Sequence, residues 1–144
     1  MMGELNVVGG TAMVLAFNAR ESTKDVDGIF EPSSEVRAAA AVVAESLSLA
    51  ANWLDFDPIA SIDLPNLRVQ APTAEYMLAM KVLAARAGVG GEHGDAKDIA
   101  FLIRLLGITD AGAVMDIVGR YYDPSRLLPR SLYLVDEILE EMRP

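Results

Sequence analysis

Two aspartates separated by one residue, Asp25 and Asp27, are the side chains in this sequence best suited to metal chemistry. In an extended strand, residues i and i+2 point to the same face, so both carboxylates would face one spot. Upstream, Gly9-Gly10-Thr11 predicts a tight turn into a helix, where backbone N–H groups favour an anion. Carboxylates that converge beside a glycine turn suit a divalent metal held against a polyphosphate.

Each motif taken alone also has an interpretation without a ligand. The glycine pair fits an ordinary turn between a strand and a helix, with Thr11 as the helix N-cap. The acidic pair fits a solvated strand edge, with Arg20 and Lys24 as counter-charges. The sequence contains neither the G-x-G-x-x-G pattern of dinucleotide-binding folds nor the Gly-Lys-Ser/Thr of a P-loop.

The elements that must position these residues follow from the pattern of apolar positions. In the first half, short apolar stretches predict strands over 5–8, 25–31 and 67–70, with helices over 11–19 and from about 33 to 51. The segment 53–65 holds two prolines and three aspartates and is predicted to be irregular. The second strand would therefore carry the acidic pair a short distance from the glycine turn.

The second half predicts helices only, over 73–86, 95–106, 110–122 and 132–142. The whole chain is therefore expected to have an α/β (α+β) fold, with a small sheet followed by a helical C-terminal half. Its length suits a single domain over residues 1–144, with the sheet portion in 1–71 and the helical portion in 72–144.

Composition narrows the classes of function. The chain has no cysteine, which excludes disulfides and thiolate metal sites. Lys and Arg number 12 against 21 Asp and Glu, for a net charge of −9. Non-specific duplex binding relies on cationic side chains, so this surface disfavours it, whereas a nucleotide with its own magnesium is easier to accommodate. No signal peptide or membrane span is recognised, and we expect a cytoplasmic protein.

The two motifs together resemble the signature of the DNA polymerase β-like nucleotidyltransferase superfamily. The pattern is G-G-[ST] at 9–11, a helix, and R-x-x-T-x-D-x-D at 20–27. The closest resemblance is to bacterial AbiEii-type toxins and related nucleotidyltransferase domains of toxin–antitoxin systems. Residues 74–86 resemble their "lLAmKllAaR" helix, 95–99 resemble their "RDxxDl" motif, and 107–108 close that helix as in the family.

The resemblance implies a small mixed sheet as the core and a site for a nucleoside triphosphate. Gly9, Gly10 and Thr11 would contact its phosphates, and Arg20 would either reach a phosphate or pair with the strand carboxylates. Asp25 and Asp27 would bind Mg²⁺, or Mn²⁺, and orient the α-phosphate for in-line attack. Such transfer depends on positioning and charge neutralisation more than on covalent chemistry.

The resemblance also implies that Lys81 and the pair Asp95 and Asp98 complete the site from the helical half. Asp98 and Lys81 would act in catalysis, and Asp95 would contact the nucleotide. The alternatives are a surface lysine whose stem packs on apolar neighbours, and aspartates that complement a helix dipole. The two aspartates lie at i and i+3, on one face of a first helical turn.

The chain departs from the family pattern at several points. The superfamily commonly carries a third carboxylate on the strand after the acidic pair. The matching stretch 64–70 has none, and Asp63 just before it is the nearest candidate metal ligand. The arginine that usually precedes the downstream aspartate is replaced by His93-Gly94. The family usually carries a helix before the strand that leads into the glycine pair, whereas only a few residues precede that strand in this sequence.

Two functions follow from these observations. The first is a nucleotidyltransferase that moves a nucleoside monophosphate from an NTP to an RNA or protein acceptor, as a component of a toxin–antitoxin pair. The second is a protein of the same fold without turnover, which binds a nucleotide or a cognate partner such as an antitoxin. A homodimer built through the C-terminal helices is compatible with either.

Overall fold

The computed structural model describes residues 3–19, 21, 28–31, 42, 45–46, 56–65, 67–85 and 94–143. It divides the chain into two compact units, Met1–Thr73 and Ala74–Pro144. The first unit contains a sheet and the second contains packed helices, which confirms the predicted mixture of strands followed by helices. The single-domain organisation stays a prediction.

The first unit is built on a mixed four-stranded sheet in the order β2-β1-β4-β3. The strands are β1 (Gly3–Val7), β2 (Gly28–Glu31), β3 (Phe56–Leu64) and β4 (Leu67–Pro72), and helix α1 (Gly9–Leu15) follows β1. Strand β1 is antiparallel to β2 and parallel to β4, while β3 and β4 are antiparallel. Val7, Ala12, Met13 and Val69 are buried apolar residues of this unit. Residues 42, 45 and 46 of the predicted helix 33–51 are helical, and its other residues lie outside the described ranges.

The irregular segment predicted over 53–65 is wrong for residues 56–64, which form strand β3. The prolines and aspartates of this segment argued against a strand. Apolar and polar residues nevertheless alternate along it, except at Ile59-Ala60, where two apolar residues are adjacent. The pairing with β4 shifts register between Pro58 and Asp63, which accommodates the interruption. Strand β3 lies at one edge of the described sheet, where a proline such as Pro58 is tolerated better than on a central strand.

The second unit contains four α-helices within its described residues. They are α2 (Ala74–Ala84), α3 (Gly94–Leu105), α4 (Ala111–Tyr121) and α5 (Pro129–Glu141), with a 3₁₀ turn at Pro124–Arg126. Fully buried side chains from all four helices form its core: Met77, Leu78, Val82, Ile99, Leu102, Ile103, Val114, Val118 and Val135. None of the helices described is both long and apolar enough to cross a bilayer.

The ends of these helices follow the local sequence. Gly107, with φ of +66°, ends α3 as predicted. The N–H of Gly107 donates a hydrogen bond to the carbonyl of Arg104, and the N–H of Ile108 donates one to the carbonyl of Ile103. These two hydrogen bonds form a Schellman motif. Asp110 caps α4 by accepting a hydrogen bond from the backbone N–H of Ala113 at 2.9 Å. These caps fix where α3 ends and α4 begins.

Candidate functional site

Three of the predicted site residues meet in the helical unit. The ammonium of Lys81 lies 3.0 Å from Oδ1 of Asp95 and 2.9 Å from Oδ2 of Asp98. The side chain of Asp98 is 2% exposed and that of Lys81 is 11% exposed, whereas Asp95 is partly open at 29%. The three residues therefore form one ion-paired cluster in which a single cation is shared by two carboxylates.

The local sequence explains how this cluster forms. Lys81 lies near the end of α2, and most residues of that helix are buried, including Met77, Leu78 and Val82. Asp95 and Asp98 stand at i and i+3 in the first turns of α3, so their side chains lie on one face. The alternative of a surface lysine is wrong, because the whole residue Lys81 is 8% exposed.

Burial and the neighbouring carboxylates shift the pKa of Lys81 in opposite directions. Burial by itself lowers the pKa of Lys81, but its hydrogen bonds to Asp98 and Asp95 outweigh that effect, so its pKa lies above the ordinary value. Among the described residues, the two carboxylates and the one ammonium carry a formal charge of −1. The positive end of the α3 dipole compensates part of it, since both aspartates lie near the helix N-terminus.

The cluster is consequently well satisfied without a ligand. The Lys81 ammonium already occupies the position between the two carboxylates that a metal ion would take. A divalent cation there would have to displace a lysine held by charge-assisted hydrogen bonds. The geometry thus fits a stabilising ion pair better than a metal site.

The glycine turn lies in the sheet unit, between β1 and α1. Helix α1 begins at Gly9, its N-cap is Val8, and no side chain caps it. Gly9 has φ of +57°, a left-handed conformation that glycine adopts without strain. The prediction that Thr11 is the N-cap is wrong, because Thr11 is the third residue of the helix and is 4% exposed. The helix therefore begins two residues before Thr11.

The acidic pair lies outside the described residues, as does Arg20. The structure does describe the strand that follows the pair directly. Strand β2 begins at Gly28, and Gly28 is the Cα partner of Val7 on β1. Val7 stands two residues before Gly9, so β2 enters the sheet beside the end of β1 that leads into the glycine turn.

Asp63, the third candidate metal ligand, lies in the sheet unit. Asp63 lies on β3, at the opposite edge of the sheet from β2. Three interstrand steps of about 4.8 Å separate these two strands, about 14 Å in all. Asp63 is also the Cα partner of Arg68, which is itself the partner of Glu4, three residues below Val7. Asp25 and Asp27 lie outside the described residues, so the assignment of Asp63 as a metal ligand stays a prediction.

Polar residues of the sheet were missed by sequence reasoning. Arg68 on β4 forms a 3.2 Å ion pair with Glu4 on β1. Two residues along β1, Asn6 is 5% exposed, and its Oδ1 has no hydrogen-bond partner among the described residues. The signal available in the sequence was the alternation of Glu4 and Asn6 with apolar Leu5 and Val7, which marks one polar face of β1.

A further cluster that was missed consists of tyrosines. The rings of Tyr76 and Tyr121 meet edge to face with centroids 5.3 Å apart, and the hydroxyl oxygens of Tyr76 and Tyr122 lie 3.3 Å apart. Burial raises the pKa of Tyr76, and the hydrogen bond with Tyr122 raises it further. Burial likewise raises the pKa of Tyr122. This cluster joins α2 to the end of α4.

Within the residues that the structure describes, no three His, Cys, Asp or Glu side chains are grouped as a metal site. The expected Mg²⁺ site therefore depends on Asp25 and Asp27, whose carboxylates are the hard oxygen donors that this ion prefers. Comparisons of the chain with protein-family models, curated proteins and solved structures gave no match.

Proposed function

We propose that this protein is a Mg²⁺-dependent nucleotidyltransferase that transfers a nucleoside monophosphate from an NTP to a hydroxyl of an RNA or protein acceptor. Asp25 and Asp27 hold the metal, and Gly9 and Gly10 contact the phosphates. The finer fold assignment, a nucleotidyltransferase core within the α+β class, is part of this proposal, as is a role in a toxin–antitoxin pair. The resemblance of the ordered motifs motivates it.

The pairing of Gly28 with Val7 is the observation that carries this proposal. Asp27 is joined to Gly28 by one peptide bond, so their Cα atoms are about 3.8 Å apart. Val7 is two residues from the positive-φ glycine of the turn. The register of β1 and β2 therefore supports a carboxylate beside the glycine turn, which is the juxtaposition that metal–triphosphate binding requires.

The reaction needs little from the protein beyond placement and charge. The acceptor oxygen attacks the α-phosphorus, the bond to the bridging oxygen of the β-phosphate breaks, and pyrophosphate leaves while the hydroxyl proton passes to solvent. A Mg²⁺ ion, when bound, supplies charge neutralisation at the α-phosphate. The glycine turn lets the triphosphate approach the backbone closely because glycine has no Cβ.

Radiolabelled NTPs test this proposal directly. The purified protein is incubated with Mg²⁺, cell extract and each NTP, labelled either on the α-phosphate or on the γ-phosphate. We expect label from the α-position to enter a macromolecular product and label from the γ-position to be released with pyrophosphate. Transfer of the γ-label instead would indicate a kinase and contradict the proposal.

Substitution of an aspartate of the acidic pair tests whether the activity depends on that pair. Asp27→Asn keeps the shape of the side chain but removes its charge, and we expect at least a hundredfold loss of product. Asp116→Asn, at an exposed position of α4, is the matched control and should retain wild-type activity. Equal activity of wild type and Asp27→Asn would overturn the assignment of the metal ligand.

A nucleotide-binding or protein-interaction module without turnover is a second candidate, and the state of Lys81 favours it. The lysine expected to act on a phosphate is ion-paired with two carboxylates and almost completely buried. Calorimetry with ATP, CTP, GTP and UTP in the presence of Mg²⁺ separates the candidates. Tight binding without labelled product supports the module, and the absence of binding to all four excludes a nucleotide function of either kind.

A further inference from the structure

Helix α5 presents an outward stripe of charged residues around one exposed aromatic ring. The stripe consists of five exposed residues: Arg130, Tyr133, Asp136, Glu137 and Glu140. Asp136 and Glu137 are adjacent, and the other steps along the stripe are three residues. The opposite face carries the residues that α5 buries, Ser131, Val135, Ile138 and Leu139. Tyr133 is 74% exposed, the highest value among the exposed large hydrophobic side chains described.

The charges of this stripe run against the dipole of their own helix. Cations stabilise a helix near its C-terminus and anions near its N-terminus. In α5 the order is reversed, with Arg130 in the first turn and Glu140 and Glu141 in the last. The first turn holds no acid and the last turn holds no base. Stabilisation of the isolated helix therefore does not explain this distribution.

We propose that the α5 stripe is the contact surface between two copies of this chain, whose α5 helices lie antiparallel across a twofold axis at Tyr133. Arg130 stands three residues before Tyr133 and Asp136 three residues after it, about 4.5 Å on either side along the helix. An antiparallel arrangement thus places Arg130 of one copy beside Asp136 and Glu137 of the other, twice by symmetry. The N-terminal end of each helix then lies beside the acidic residues that its own first turn lacks.

The size of the stripe limits the strength of this dimer. A helix of 13 residues is about 20 Å long and about 10 Å wide. Such a face is smaller than those of stable dimers, which bury roughly 1,200 Å² or more in total. Each copy also carries a net charge of −9, which opposes association. We therefore expect a monomer–dimer equilibrium that depends on protein concentration, with the dimer weak.

Sedimentation equilibrium over a range of concentrations measures this equilibrium in the full chain. Arg130→Glu makes the protein more negative, and Glu137→Arg makes it less negative. We expect both to raise the dimer dissociation constant about tenfold or more, because each replaces two attractions by two repulsions. An effect of net charge alone would instead give opposite changes in the two variants.

Charge exchange provides the second arm of the test. The double variant Arg130→Glu/Glu137→Arg should recover the dimer, and so should an equimolar mixture of the two single variants. Arg104→Glu, at an exposed position of α3, makes the same change in net charge as Arg130→Glu and should have a much smaller effect. A protein that is monomeric at all concentrations, or a dimer that neither single variant weakens, would overturn the proposal.

Discussion

The two units of this protein differ in how their charged and polar groups are satisfied. In the helical unit, Lys81 is neutralised by two aspartates and removed from solvent. In the sheet unit, α1 begins at a positive-φ glycine without a side-chain cap, next to the strand that follows Asp25 and Asp27. The ionic cluster of the helical unit is thus satisfied by its own residues, whereas the ligand chemistry that we propose would lie in the sheet unit.

Removal of the Lys81 ammonium should give the largest effect on stability. Lys81→Met leaves the buried Asp98 carboxylate without its cation, and we expect the free energy of unfolding to fall by about 3–5 kcal/mol. Urea denaturation followed by circular dichroism measures it. Lys97→Met, at an exposed position of α3, should change stability by no more than about 0.5 kcal/mol.

A second substitution tests whether the charge itself is responsible. Asp98→Asn in the Lys81→Met background removes the carboxylate charge that has lost the Lys81 ammonium, and should restore part of the lost stability. If Lys81→Met and Lys97→Met unfold at the same urea concentration, the ion-paired cluster contributes little to stability, and the contrast between the two units would fail.

Alkaline pH should have the second-largest effect, a loss of stability of the helical unit. The pKa of Lys81 is raised in the folded state, so its contribution is complete below about pH 10.5, its ordinary pKa, and is lost as the pH rises through the folded value. Tyr76 and Tyr122 also have raised pKa values. Above pH 10 their unfolded forms lose protons that the folded forms keep, which again favours unfolding.

Each of these groups can contribute up to about 1.4 kcal/mol per pH unit. Denaturation midpoints measured from pH 8 to pH 11.5 should therefore fall above pH 10. Tyr76→Phe should make the decline shallower. Tyr133→Phe, at the exposed position of α5, is the matched control and should leave it unchanged. A flat profile, or equal slopes in the two variants, would show that burial of Tyr76 does not control the decline.

Substitution of one glycine in each unit separates an effect on nucleotide binding from an effect on stability. Gly9 and Gly107 both have positive φ, so Gly9→Ala and Gly107→Ala should each destabilise by about 1 kcal/mol. We expect Gly9→Ala alone to weaken nucleotide binding, measured by calorimetry with ATP and Mg²⁺. Loss of binding in Gly107→Ala to the same extent would show a general effect of stability.

The smallest effect is expected at Ser131, on the buried face of α5. Its residue is 1% exposed, and its Oγ has no hydrogen-bond partner within the described ranges. Ser131→Ala removes this unsatisfied hydroxyl and should raise stability by up to about 1 kcal/mol. Thr109→Ala, which removes an exposed hydroxyl between α3 and α4, should leave stability nearly unchanged. A destabilised Ser131→Ala variant would indicate that the hydroxyl has a partner after all.

Sequence reasoning succeeded where local chemistry decides structure. Gly107 ends α3 because a glycine accepts the left-handed conformation that a Schellman motif requires. The pairing of Asp95 and Asp98 on one helix face follows from their spacing alone. The sheet order and the burial of Lys81 depend on contacts between residues far apart in the chain, and single-sequence patterns do not encode them.

The two wrong predictions have specific causes. Strand β3 was missed because Pro58 and the aspartates Asp57 and Asp63 are poor strand formers, although an edge strand tolerates them. Thr11 was taken as an N-cap because threonine favours that position, whereas the helix begins two residues before it, at Gly9, whose backbone has a positive φ. In both cases tertiary pairing or backbone conformation overrode residue preference.

The central claim is that Asp25 and Asp27 share a cation beside the glycine turn, and a crystal structure with Mn²⁺ and a non-hydrolysable NTP analogue tests it most directly. We expect anomalous density for an ion bound by an oxygen from each aspartate, with the triphosphate against Gly9 and Gly10. Aspartate side chains that point apart, or a triphosphate bound away from the turn, would contradict the account.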